Sequence, residues 1–248
     1  MRGKGIEREV VGLWVILALV ALLRLLLLLG WKPALFGWPD AASYIGVSHG
    51  DLFGNELRPA GYPIFLKLLY GLSPSLLLVV IVQHLLGLAS AVLLYLAVAR
   101  TGVPRVLGLV PAAVLALGGD GIFLEHAPIS ESLFIFLVAA TLYSAVRSLE
   151  SDRLLWPALA GAMLATAATV RVVALPLVPV LCVWLLAAGP RPLRRRLAVA
   201  AVGCVGVAAI LGAYFTAEQR AVGHTGLSRN GIWNLYGRVA PFADCSAT

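Results

Sequence analysis

Residues 75–99, SLLLVVIVQHLLGLASAVLLYLAVA, contain no Asp, Glu, Lys or Arg over twenty-five positions. A helix needs about 20 consecutive apolar residues to cross the hydrocarbon of a bilayer. This stretch is long enough, and its apolar residues surround the helix so that no polar stripe is left for water. Six further apolar runs, at 10–30, 104–117, 130–146, 154–170, 172–188 and 197–215, make seven expected spans. The whole chain is 60% hydrophobic and 12% charged, too apolar for a water-soluble fold. The spacing therefore predicts an all-α polytopic transmembrane bundle of about seven spans over 1–215, with loops at 31–74 and 118–129 and a tail at 216–248. The first run exceeds the core of a signal peptide, and no small-residue cleavage site follows it, so it is expected to stay as a helix.

The charges give these spans a direction. With a cytoplasmic N-terminus, the cytoplasmic connections carry eleven Arg and Lys, the cluster Arg191, Arg194, Arg195 and Arg196 among them, against four acids. The opposite side carries seven against eight, and Arg24 lies inside the first span. Cations enriched in alternate connections follow the positive-inside rule, so the net charge of +7 reports topology and a nucleic-acid role is excluded. The long loops and the tail are then exported, in a multi-pass plasma-membrane protein. Only Arg171 separates 154–170 from 172–188, so these are either two crossings or one re-entrant hairpin. Residues 61–71, GYPIFLKLLYG, are too short to span and are edged by Tyr62, Lys67 and Tyr70, the signature of a helix lying in the membrane interface.

Pro104, Pro111, Pro157, Pro176 and Pro179 lie in or at the starts of spans, where kinked or broken helices are expected. Small residues at 160–162 and between Gly203 and Gly212 permit close helix contact. Cys182 and Cys204 are expected to pack as small hydrophobes, whereas Cys245 has no exported partner, which suits a chain that is a fragment of a longer one.

Ionisable groups near hydrocarbon are costly and mark function. Asp40, after Pro39, is either a turn residue or a general base at the membrane face. Arg58 and Arg171 are either interface anchors or ligands for a lipid-linked phosphate, which a planar guanidinium binds in bidentate fashion. Glu125, His126 and Glu131 either cap the fourth span or form a second acidic site for an acceptor, with Asp40 and Glu125 as candidate ligands of a divalent cation such as Mg²⁺ or Mn²⁺. Gln83 and His84 are expected to hydrogen-bond between helices, and Arg24 to snorkel or to pair inside the bundle. In the tail, which also holds Arg220, His224, Arg229 and Asp244, Trp233, Tyr236 and Phe242 among Asn230, Asn234 and Arg238 form either an interfacial belt or a sugar-stacking surface.

Taken in order, Pro39-Asp40 with Tyr44, RPAGYPIF at 58–65, QHLLG at 83–87, Glu125 with ISESL at 129–133, and ATVRV at 168–172 resemble the membrane glycosyltransferases of the C superfamily. The similarity covers about the first three-quarters of the chain and is greatest to the polyprenyl-phosphate-dependent mannosyl- and aminoarabinose-type transferases. NLYGRVAP at 234–241 is similar to exported-loop sequence of actinobacterial members. The resemblance implies a seven-helix module and inverting transfer of one sugar from a polyprenyl-phosphate donor to an exported glycan, protein or lipid acceptor. It further implies Asp40 as the catalytic carboxylate, Arg58 and Arg171 at the donor phosphate, and Glu125 as a second acidic site. Family members usually continue beyond this module, so 216–248 is expected to be the start of a longer C-terminal region. A lipid-linked-sugar flippase or small-solute transporter is the alternative, and a non-catalytic membrane scaffold the third.

Overall fold

A computed structural model describes residues 2–55, 57–188, 191–223, 225–228 and 230–242, with the backbone alone over 2–10, 230–234 and 241. His224, Arg229, Asp244 and Cys245 lie outside the described residues, and of Trp233 only the backbone is described. The described chain is all-helical: α1 (Arg2–Gly30), α2 (Pro39–His49), α3 (Gly61–Tyr70), α4 (Leu76–Val98), α5 (Leu109–Leu117), α6 (Gly119–Glu125), α7 (Glu131–Glu150), α8 (Leu155–Val170), α9 (Leu177–Ala187), α10 (Leu193–Val222) and α11 (Asn230–Val239).

Four helices are long and apolar enough to cross a membrane: α1 over Val11–Gly30, α4, α7 and α10. The pair of α5, with its leading turn from Arg105, and α6 meets the same test together, bent by 55° at the break. Trp14, Leu26, Val114, Val183 and Val205, on α1, α5, α9 and α10, point outward with more than half of their surface exposed, an arrangement suited to lipid rather than water. Length and composition thus support four or five crossings. The apolar helices Leu155–Val170 and Val172–Ala187 are shorter.

Two boundaries depart from expectation. Gly118-Gly119-Asp120 was expected to begin a loop, but α6 starts at Gly119 with Asp120 in its first turn, where the positive end of the helix dipole favours a carboxylate. The tail was expected to begin at 216, yet α10 continues to Val222 and ends on Gly223, whose φ of +75° is the left-handed C-terminal stop that glycine adopts without strain. The prolines also act differently from the kinks expected of them. Pro111, Pro157 and Pro179 are each third residues of helices, and Pro176 and Pro192 precede them, positions where a missing N–H costs nothing. The 55° bend between α5 and α6 falls at Gly118.

Helix α8 is the centre of the bundle, packed between α7 and α10 and touching α3 and α9. Its inner face is built of Ala160, Gly161, Leu164, Ala165, Ala167 and Ala168, all small except one, so the backbones of α8 and α10 approach closely. A Cβ on Gly161 would collide with the Gly203 carbonyl oxygen on α10. Gly161→Ala is therefore expected to destabilise the bundle by about 1–3 kcal/mol through overpacking. Thermal unfolding in detergent measures it; an unchanged midpoint would show that the two helices do not touch there. Between α9 and α10, the free Cys182 and Cys204 bring their Sγ atoms to 3.3 Å.

Candidate functional site

Helices α2 and α3 fill the first loop and bring its polar residues over the ends of α7 and α8. Pro39 starts α2, which places Asp40 in the first turn and Tyr44 one turn later on the buried side. Arg58, just ahead of α3, donates from Nη2 to Asp40 Oδ1, and its guanidinium lies 5.6 Å from the centre of the Tyr44 ring. The Tyr44 hydroxyl donates to Ser130 Oγ at 3.2 Å, immediately before α7. Arg171, in the extended residue that ends α8, donates from Nη1 to the same Ser130 Oγ at 3.3 Å and to Glu131 Oε1. Asp40, Arg58, Tyr44, Ser130, Arg171 and Glu131 thus form one continuous line of contacts from residues 131 positions apart in sequence at its extremes.

Each arginine of this line is paired with a carboxylate. The pairs are half-exposed, Arg58 at 32% and Asp40 at 38%, so water screens them and they add little to stability. Their value lies in position: two forked cations and two acids fixed on one rim, with faces open to a ligand. Ser130, absent from the expected site residues, is the junction between the two halves. Its signal in the sequence is its place in ISESL at 129–133, directly ahead of Glu131 at the start of an apolar run.

Beneath this rim the polar residues become buried. The Tyr62 ring meets Tyr44 edge-on at 4.9 Å, and its hydroxyl donates to Gln83 Oε1 at 2.5 Å. Burial pushes the Tyr62 phenol well above its ordinary range, so it stays protonated as the donor. Gln83 Nε2 donates in turn to the carbonyls of Glu125 and Ala127, at 2.8 and 2.6 Å, satisfying the backbone where α6 ends. Gln83 on α4 thus makes the helix-to-helix bonds expected of it, to Tyr62 on α3 and to Glu125 at the end of α6, with a further bond to Ala127 in the loop beyond.

Glu125 and His126 belong to this interior and not to the rim. Glu125 is 6% exposed and accepts two bonds from Arg24, Nε to Oε2 and Nη2 to Oε1, both 2.7 Å. Arg24, 2% exposed, also donates to the carbonyls of Val20 and Ala116, which resolves the choice between snorkelling and pairing in favour of pairing. His84 Nδ1 lies 2.9 Å from Glu125 Oε2, and His84 Nε2 lies 3.0 Å from His126 Nδ1. The carbonyl of Trp31, 2.8 Å from His126 Nε2, only accepts, so that nitrogen carries the proton. Burial, the largest influence, lowers the His126 pKa. Gly87 is required alongside, because a Cβ there would strike the Glu125 carboxylate.

Asp40 and Glu125, the two acids expected to share a cation, are held by different partners and make no hydrogen bond in common. Among the described residues, no three of His, Cys, Asp and Glu gather as a metal set. Lys67 is exposed on the outer side of α3, away from the contact line.

No protein-family model, curated protein or solved structure matches this chain. Function therefore rests on the chemistry of the rim.

Proposed function

We propose that the chain is a membrane glycosyltransferase that moves a sugar from a polyprenyl-phosphate donor to an acceptor on the exported face, with inversion at the anomeric carbon. The observation that carries this reading is the contact line from Asp40 through Arg58, Tyr44 and Ser130 to Arg171 and Glu131. In this reading α8 and the Val172–Ala187 segment also cross, giving seven passes with α5 and α6 as one, and α3 lies in the interface. Arg171 then falls at the exported turn and Arg191 to Arg196 in the cytoplasm, as the positive-inside rule favours.

The chemistry requires little else. Asp40 takes the proton of an acceptor hydroxyl as its oxygen attacks the anomeric carbon from the face opposite the phosphate. The bond between that carbon and the phosphate oxygen breaks, and the electron pair leaves with the polyprenyl phosphate. Arg171 and Arg58 offset the charge gathering on the leaving group. No step is assigned to a cation, since the acids here are matched by arginines.

Membranes containing the chain, incubated with radiolabelled polyprenyl-phosphate sugars, are expected to yield labelled glycoside and free polyprenyl phosphate, with a chelator arm to register any use of Mg²⁺ or Mn²⁺. Label that crosses the membrane without forming a glycosidic product would replace the proposal with transport.

A further inference from the structure

Beside the rim, at the end of α10, lies a cavity of about 190 Å³ whose walls include Phe53, Asn55, Arg58, Tyr214, Glu218 and Thr225. Glu218 is unusual among them. Its side chain sits in a residue only 6% exposed, and its Oε2 accepts the Gly226 N–H at 2.7 Å. Among the described residues Oε1 accepts no hydrogen bond, and it keeps access to solvent. Arg58, the cation that holds Asp40, also lines the cavity.

The walls are fixed before any ligand enters. Asn55 donates to Ser43 Oγ at 3.1 Å and accepts from Leu57 N–H at 3.0 Å. The Tyr214 hydroxyl accepts from Ala60 N–H at 3.0 Å, and the Tyr214 and Phe53 rings meet edge-on at 5.4 Å. Ser228 Oγ donates to the Leu57 carbonyl at 2.6 Å, tying the segment after α10 to the first loop.

A carboxylate only accepts hydrogen bonds and a guanidinium only donates them. An ion of either sign meets one like-charged wall: an anion is drawn to Arg58 but repelled by Glu218, and an ammonium group the reverse. A neutral hydroxyl both donates and accepts, so vicinal hydroxyl groups on a ring satisfy both walls, while the ring's C–H face lies on the aromatic pair. The geometry points to a binding recess for a neutral, hydroxylated sugar ring, with Glu218 as its specificity-determining acceptor. The ring is either the donor's sugar or the acceptor's. Its identity as a sugar rests on the transferase reading; the preference for neutral hydroxylated rings rests on the cavity walls.

Saturation-transfer NMR on the full chain in nanodiscs tests this directly, with methyl glycosides of neutral hexoses and pentoses as probes beside a uronic acid and an amino sugar of matched ring. Neutral glycosides are expected to bind saturably and at least about tenfold more tightly than either charged analogue. Glu218→Gln keeps an oxygen for Gly226 N–H and presents an amide to the cavity, so it is expected to weaken neutral-glycoside binding about tenfold or more, with an unchanged unfolding temperature. Tighter binding of a charged analogue by the unsubstituted chain, or absence of saturable binding by every neutral glycoside, overturns the recess whether or not the variant folds. Unchanged glycoside affinity in a folded Glu218→Gln protein overturns it as well. Displacement of the bound glycoside by a polyprenyl-phosphate sugar assigns the recess to the donor ring; simultaneous binding assigns it to the acceptor, and either result supports it. A chain that binds neutral glycosides through Glu218 but transfers from no donor keeps the recess and loses the transferase reading. One that transfers normally with glycoside binding indifferent to Glu218 does the reverse.

Discussion

Arg24→Leu is expected to cost about 3–5 kcal/mol of stability, because it strands a buried carboxylate without its cation. Glu125 takes both of its strongest hydrogen bonds from Arg24 and cannot turn toward α4, where Gly87 leaves room for the carboxylate and no more. The same guanidinium reaches the carbonyls of Val20 and Ala116, so one side chain joins α1, α5 and α6. Arg24→Lys keeps the charge but loses the two-pronged fit, and is expected to fall between leucine and the unsubstituted protein. The decisive comparison is Arg24→Leu combined with Glu125→Gln. Removing the charge from both members lifts the penalty of an unpaired ion, so the double variant is expected to be more stable than Arg24→Leu alone. Unfolding midpoints in detergent give the order; a double variant as unstable as the sum of the single ones would mean that Arg24 and Glu125 do not act on each other.

This pair also shows where sequence stops being informative. Arg24 among leucines announced that a partner was needed, and Gln83-His84 in the middle of an uncharged run announced the same. Nothing local names Glu125 as the partner, because the two lie 101 positions apart and only the packing of α1 against α5 and α4 brings them together. Glu125 and His126 follow Gly118-Gly119-Asp120, polar and flexible enough to be read as a water-facing loop. The apolar residues Ile122, Phe123 and Leu124 turn that segment into a short helix whose end is drawn inside. Apolar run lengths located α1, α4 and α7 to within a few residues at most boundaries, since hydrocarbon demands uninterrupted apolar length. The first loop was legible in part: 61–71 read as a helix, whereas α2, which Pro39 begins, was hidden behind a Pro-Asp pair that reads equally well as a turn. Glu218 was hidden by its place in the chain. Counted as one more charge in a tail, it sits within the last turns of α10, and its significance lies in a cavity wall that the first loop completes.

The Asp40–Arg58 contact makes the sharpest demand on the proposed chemistry. Asp40→Asn preserves side-chain size and leaves an oxygen that Arg58 still reaches, so the first loop is expected to keep its shape and the protein its unfolding temperature. What asparagine lacks is an affinity for a proton at neutral pH. Transfer to the acceptor is expected to fall by about 100- to 10,000-fold, the range for loss of a positioned general base. Binding of the polyprenyl-phosphate donor should persist, since the phosphate ligands are arginines. Arg171→Lys divides the roles further: it retains a charge at the rim but gives up the planar fork, so donor affinity and rate both fall while Asp40 is untouched. Measured on the full chain in reconstituted vesicles, an Asp40→Asn rate equal to that of the unsubstituted protein removes Asp40 as the base. Loss of donor binding in the same variant would instead assign Asp40 to holding Arg58 in place, a positioning residue for the phosphate and not the acceptor's proton carrier.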